Sequence, residues 1–140
     1  GNCPLHIACF TGNNEKVIDM LLKHKANLNE QNYQGDTPLH IACTTRDNER
    51  YLDILLKYKP NVKKKNNEGW TPLHCACKTR NNVKNIALLL KNKANVNEKG
   101  NNGETPLHVS SLLRDNEKTI ALLLNNKANV NETDLEMMIP

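Results

Sequence analysis

The tripeptide Pro-Leu-His occurs four times in this chain, and successive copies stand 34 residues apart. The copies begin at Pro4, Pro38, Pro72 and Pro106. A fixed period of this length is typical of proteins that stack one small supersecondary unit many times. The 140 residues therefore predict a repetitive architecture of four similar units.

Two apolar blocks recur in every unit, one just after the histidine and one built around a run of leucines. Leu52, Leu55 and Leu56 illustrate the second block, because steps of three and four residues place side chains on one face of a helix. Proline suits the first turn of a helix, and a threonine suited to N-capping precedes three of the four prolines. We therefore expect a first helix to begin at each proline.

The second helix of each unit is expected to begin after a short polar residue, namely Asn14, Asn48, Asn82 or Asn116, which would act as its N-cap. A long asparagine-rich link follows this helix and ends near a glycine such as Gly35 or Gly69. Each unit thus reads as helix, turn, helix and hairpin.

The units spell Thr-Pro-Leu-His-x-Ala and end in Ala-Asn-Val-Asn tails at residues 94–97 and 128–131. This pattern resembles the ankyrin repeat family from Gly1 to about Asn131. The resemblance implies an all-α repeat solenoid in which each repeat contributes a helix-turn-helix and a β-hairpin loop. A single domain over residues 1–140 would hold repeats at about 3–36, 37–70, 71–104 and 105–138.

The chain departs from the family pattern after the second helix. The family usually has glycine there, at a left-handed turn, whereas this chain has Lys25, Lys59, Lys93 and Lys127. A residue with a side chain in that conformation costs on the order of 1 kcal/mol. Both ends of the chain resemble interrupted repeats, so we expect a fragment of a longer array.

Charge and cysteine content indicate the cellular compartment of the chain and the kind of partner it would bind. Five cysteines, an odd number, without an apolar leader favour a reducing, intracellular compartment, cytoplasmic or nuclear, over a disulfide framework. The net charge of +4 mildly favours an acidic partner but falls short of a nucleic-acid-binding signature. No apolar run approaches the roughly 20 residues that a membrane span needs.

The resemblance also implies where a partner would bind, because the family uses hairpin tips and the inward face of the first helix. Trp70 stands between Gly69 and Thr71 in a slot expected to be exposed, which suits an interface anchor, although local packing of the indole is the alternative. Tyr33 holds a similar slot. The predicted partner-binding residues are Gln31, Tyr33, Gln34, Asp36, Thr44, Thr45, Lys65, Asn67, Glu68, Trp70, Lys78, Thr79, Lys99, Asn101, Asn102, Glu104, Leu112 and Leu113.

The repeated histidines and the Cys75-Ala-Cys77 pair invite a metal or catalytic interpretation. The resemblance instead implies a structural histidine that bonds backbone between hairpins, with Cys77 at a position where the family has buried alanine. No residues suggest a nucleophile with its base, and we expect no cofactor, metal or small-molecule substrate. The predicted function is a non-catalytic protein-protein interaction module.

Two alternatives stay open at this stage. In the first alternative, the chain is a structural spacer of a larger ankyrin-repeat protein, and its concave face binds no partner. Less favoured is an anion- or nucleic-acid-binding surface built from Lys63–Lys65 or from the periodic Arg46, Arg80 and Arg114.

Overall fold

A computed structural model describes residues 1–12, 15–45 and 49–135 and contains eight helices in these ranges. No strand is assigned within them. The helices are α1 Pro4–Thr11, α2 Glu15–Lys23, α3 Pro38–Thr44, α4 Glu49–Lys57, α5 Pro72–Cys77, α6 Val83–Lys91, α7 Pro106–Ser111 and α8 Glu117–Asn125. We refer to the pairs α1–α2, α3–α4, α5–α6 and α7–α8 as repeats one to four.

The first helix of every repeat begins at proline, as predicted. In repeat two, the Thr37 hydroxyl accepts a bond from the backbone N–H of His40 at 3.4 Å. The Thr37 N–H in turn donates to Nδ1 of His40 at 3.1 Å. This reciprocal capping satisfies two groups that a helix start otherwise leaves unpaired. Cys3 stands at the threonine position of repeat one.

The second helices begin where expected, but Asn82 and Asn116 do not cap α6 and α8 with their side chains. Asn116 makes no cap bond with its side chain and donates instead to the carbonyl of Ser110 at 2.9 Å. Asn82 similarly donates to the carbonyls of Cys43 and Ala76. The carbonyls of Ala76 and Ser110 also accept a backbone N–H at the end of the first helix, so these buried amides use the second lone pair of each oxygen. The other two predicted caps, Asn14 and Asn48, lie outside the described residues.

The helices form two layers. The first helices pack on one another in the order α1, α3, α5 and α7, and the second helices pack in the order α2, α4, α6 and α8. Leucines at one repeat position, Leu55, Leu89 and Leu123, are fully buried between the layers. The predicted all-α repeat solenoid is confirmed.

The chain turns left-handed after each second helix. The φ angles of Lys25, Lys59, Lys93 and Lys127 are 64°, 55°, 71° and 69°, as the sequence predicted. The reversal lets Ala94 N–H bond to the carbonyl of Leu89 at 3.0 Å, so it closes the helix end.

The expected hairpin between repeats is a tight turn without strands. In the first of these turns, Gly35 N–H bonds to the carbonyl of Asn32 at 2.9 Å, and Gly35 has a φ of 78°. Adjacent turns share single backbone bonds, such as Asn67 N–H to Gln34 carbonyl at 3.0 Å and Asn101 N–H to Glu68 carbonyl at 2.9 Å. One bond between two turns is too few to form a strand ladder.

Candidate functional site

Three of the four repeated histidines, His6, His40 and His74, join neighbouring turns, as the resemblance implied. Nε2 of His6 pairs with the carbonyl of Asp36 at 2.8 Å, and Nε2 of His40 pairs with the carbonyl of Trp70 at 2.8 Å. A carbonyl only accepts, so Nε2 carries the proton and Nδ1 accepts. Burial lowers the pKa of His40 and of His74. These neutral rings therefore connect neighbouring repeats.

Four of the five cysteines are buried, and Cys3 is half-buried. All five are free thiols, and burial raises the pKa of Cys9, Cys75 and Cys77 to about 12. The thiolate is the form that binds metals and attacks substrates, so these three buried thiols are unreactive at neutral pH. Across the described ranges, no group of three His, Cys, Asp or Glu side chains is placed to hold a metal ion.

A groove with a volume of about 780 Å³ lies between the turns of repeats two to four and helix α7. It combines several predicted partner-binding residues with residues of α7 that the sequence analysis did not select. Its lining consists of Asn67, Glu68, Trp70, Asn101, Asn102, Glu104, His108, Val109, Ser111, Leu112 and Asp134.

The indole of Trp70 is half-buried, so the expectation of an exposed slot is wrong. The ring stacks on His74 with centroids 5.8 Å apart and an interplanar angle of 18°. The ammonium of Lys78 lies 5.4 Å from the indole centroid, and Nε1 donates to Oε1 of Glu104. Partners from the next repeat cover part of the ring, while the rest of it forms a wall of the groove.

Exposed apolar side chains stand beside this groove and farther along the same layer. Leu112, at the end of α7, and Tyr33, in the first turn, are each 84% exposed. Phe10 is 72% exposed and stands at the α1 position equivalent to Leu112. Because the first helices pack in succession, Phe10, Thr44, Lys78 and Leu112 form a row, which we call the helix-end row. Projecting the repeat period backwards from Thr44 identifies Phe10, which the sequence prediction missed.

Several predicted binding residues instead connect neighbouring turns. Gln31 donates to the carbonyl of Lys65 at 3.0 Å, and Lys65 donates to the carbonyl of Lys99 at 3.1 Å. Lys65 also pairs with Glu98 at 3.0 Å, and Lys99 pairs with Glu132. The side chains of Asn67 and Asn101 donate to the carbonyls of Tyr33 and Asn67, respectively. These contacts stabilise the stacking of repeats.

The remaining predicted residues lie apart from the groove lining. Hydroxyl groups of Thr44 and Thr45 both donate to the carbonyl of Ile41, at 2.8 and 3.0 Å. Thr79 donates to Cys75 and Cys43 carbonyls, and Asp36 accepts from Asn66 at 2.9 Å. Gln34 is exposed and Leu113 is half-buried.

The basic residues considered as an anion site form two groups, and each group has an acidic neighbour. Lys65 is neutralised by Glu98, and Lys64 is half-buried. Arg80 and Arg114 line a shallow pocket of about 190 Å³ together with Asp115. Arg46 lies outside the described residues. In the described part of the chain, no helix is long and apolar enough to cross a membrane.

Comparison with known proteins agrees with this architecture. A family profile described as ankyrin repeats (3 copies) matches residues 1–66 and 46–134. A search of curated proteins gives no significant match. The profile covers most of the chain and coincides with the four helix pairs. The chain therefore belongs to the ankyrin repeat family.

Proposed function

We propose that this chain is a non-catalytic recognition module that binds a partner protein through the groove, the helix-end row and the exposed turns. Ankyrin repeats are generally protein-protein interaction modules and are typically non-catalytic. The observation that carries the proposal is the groove, because it places an exposed leucine and a tryptophan wall beside polar groups on a stacked frame.

The physical case rests on preorganisation. Groove residues come from turns that are bonded to each other and from α7, so few groups must be ordered when a partner binds. Leu112 exposes 84% of its surface, and burial of such a side chain contributes about 1.5–3 kcal/mol. Trp70 is already held by Glu104 and His74 and loses little freedom on contact. Tyr33 would extend the same surface to the first turn.

The charge distribution bears on the partner. Exposed lysines on the links, such as Lys63 and Lys127, support contacts with acidic groups of a partner outside the groove. Five cysteines without a disulfide support a reducing, intracellular location, in the cytoplasm or nucleus. We propose one domain with four repeats as the unit that binds.

The test compares capture of proteins from a cell extract by matched variants. Leu112→Ser and Tyr33→Ser remove exposed apolar contacts on the proposed face, and Val130→Ser removes an exposed apolar side chain from the link after α8. Circular dichroism verifies that each variant is folded. We expect a protein that wild type and Val130→Ser retain and that the Leu112→Ser, Tyr33→Ser double variant loses. Equal capture by all variants would favour a site elsewhere, and no specific capture would favour a structural spacer.

A further inference from the structure

The turns between repeats carry a ladder of side-chain bonds. Nδ2 of Asn32 donates to Oδ1 of Asn2 at 3.0 Å. One repeat later, Nδ2 of Asn66 donates to Oδ1 of Asp36 at 2.9 Å. In both cases, an asparagine amide donates a hydrogen bond to the polar side chain 30 residues earlier. We call these residues the amide ladder.

The amide ladder stops at the groove. The next donor position in the period is Gly100, which has no side chain, and the matching acceptor position is Trp70. A Cβ atom at Gly100 would overlap Oε1 of Glu104 and would lie 2.9 Å from Cδ1 of Trp70. The missing side chain therefore makes room for the indole to bond to Glu104.

The following step places two acids where the ladder has a donor and an acceptor. The acceptor position is Glu104 and the donor position is Asp134, which as a carboxylate has no proton to donate. Oε2 of Glu104 is buried and has no hydrogen-bond partner in the described structure. A buried carboxylate oxygen without a donor is costly, so a turn of the Glu104 carboxylate towards the groove, where a ligand can donate to it, recovers that cost.

The charge of the groove points to the same kind of ligand. Glu68, Glu104 and Asp134 all line it, and none of its described lining residues is lysine or arginine. The cation observed beside it is Lys78, whose ammonium lies over the Trp70 ring. The Debye length is about 8 Å at physiological salt, so these local acids outweigh the positive net charge of the chain.

We propose that the groove receives a lysine or arginine side chain from the partner protein, with its cationic head bonded to Glu104. This inference rests on the proposed recognition function. The aliphatic stem of the incoming side chain would lie along Trp70 and Leu112, and Glu68 and Asp134 would add attraction. The acidic groove would then bind a basic residue of the partner, while the lysines of the links would contact acidic groups of the same partner.

A peptide selection tests this specificity. An array of random nonapeptides with uncharged termini is probed with wild type, Glu104→Gln and Glu117→Gln. The Glu104→Gln change keeps a side-chain oxygen for the Trp70 indole, and Glu117→Gln makes the same charge change at an exposed position on α8. Fluorescence of Trp70, the single tryptophan, measures affinity for the selected peptides in solution.

We expect wild type and Glu117→Gln to enrich lysine or arginine at one peptide position, with affinity that falls as salt rises. Glu104→Gln should lose this preference and bind the selected peptides about tenfold more weakly. Bound peptides without enrichment of basic residues, or enrichment unchanged in Glu104→Gln, would refute the inference while leaving the recognition function standing. Absence of any bound peptide would count against both.

Asp134→Asn provides a second, independent variant. It restores the amide that the ladder has at Asn32 and Asn66, and we expect this amide to donate to Glu104 across the groove lining. We expect a higher melting temperature together with about tenfold weaker binding of the lysine-containing peptides. Unchanged or tighter binding of those peptides by a folded Asp134→Asn protein would overturn the assignment of Glu104 as the cation acceptor.

Discussion

Single side chains in this chain serve two structural roles at once. His40 accepts from the N–H of Thr37 at the start of α3 and donates to the Trp70 carbonyl of the next turn. Both bonds require the neutral ring with its proton on Nε2. A second proton on Nδ1 would remove the bond to Thr37 and place an unmatched charge in a buried site. The histidine is therefore a pH-sensitive element of the fold.

We expect the free energy of unfolding to fall as the pH is lowered below about 6.5. Burial lowers the pKa of His40 and His74 below the ordinary value of 6.5, so the unfolded chain takes up protons that the folded chain refuses. Their contribution to stability is complete above pH 6.5 and is lost as pH falls towards the folded pKa values. Urea unfolding at pH 7.5, 6.0 and 5.0 measures this loss.

The variant His40→Gln separates the titration of His40 from the effects of low pH on the rest of the protein. The substitution should cost about 1–3 kcal/mol at pH 7.5, because it disturbs buried bonds, and it should make the pH dependence shallower. His24→Gln, at an exposed position on the link after α2, should alter neither quantity by much. A pH dependence that is equally steep in His40→Gln would contradict the role given to His40.

The five thiols should differ in reactivity. Cys3 is half-buried, whereas Cys9, Cys43, Cys75 and Cys77 are buried, with pKa values raised by burial. We expect a thiol reagent at pH 8 to modify Cys3 first in the native chain and the others at the rate at which the fold opens. Mass spectrometry follows the order of modification, and Cys3→Ser should abolish the early step. Early labelling of Cys77 would show that its layer opens without unfolding.

At the scale of elements, the local sequence predicts where the helices begin, but it does not predict which side chains of other repeats contact them. Proline predicted the start of every first helix, with a threonine before it in three of the four repeats, because helix capping uses residues within one turn. The amides of Asn82 and Asn116 bond to carbonyls of the preceding helices, which a local capping rule does not include. The burial of Trp70 depends on Glu104, 34 residues later, and on the gap left at Gly100. Periodicity predicts the position of a residue in its repeat, but the burial of Trp70 and a bond of Asn82 depend on contacts between repeats.

The left-handed ends of the second helices offer a local test. Lys93 has a φ of 71°, a conformation that glycine adopts without penalty. We expect Lys93→Gly to stabilise the chain by about 0.5–1 kcal/mol, since the relieved strain exceeds the added freedom of the unfolded state. Lys91→Gly, inside the last turn of α6, should instead destabilise by about 1 kcal/mol. Thermal unfolding compares the two, and a destabilising Lys93→Gly would mean that the lysine side chain outweighs the strain.

At the scale of the whole molecule, each repeat depends on the repeats beside it. The main helix contacts join α1 to α3, α3 to α5 and α5 to α7, with a parallel series in the second layer. Stability in such an array approximates a sum over repeats and their interfaces. A given substitution should therefore have an effect that depends on whether its repeat is flanked on one side or on both.

Leu89 and Leu123 form a matched pair for this expectation. They are the same residue type at the same repeat position, and each is fully buried. Leu89 belongs to repeat three, which contacts repeats on both sides, whereas Leu123 belongs to repeat four, which contacts repeat three. We expect Leu89→Ala to cost about 4 kcal/mol and Leu123→Ala about 2–3 kcal/mol, both within the range for buried leucine.

Hydrogen exchange would show how far each loss extends. In Leu123→Ala, faster exchange should be confined to α7 and α8, since the other three repeats keep their shared interfaces. In Leu89→Ala, exchange should quicken on both sides of repeat three, because two interfaces are weakened. The groove includes α7 and the turns of repeats two to four, so Leu123→Ala should also abolish binding there while leaving α1 to α4 protected. Uniform exchange in both variants would instead show that the four repeats unfold as one cooperative unit, with binding and stability lost together.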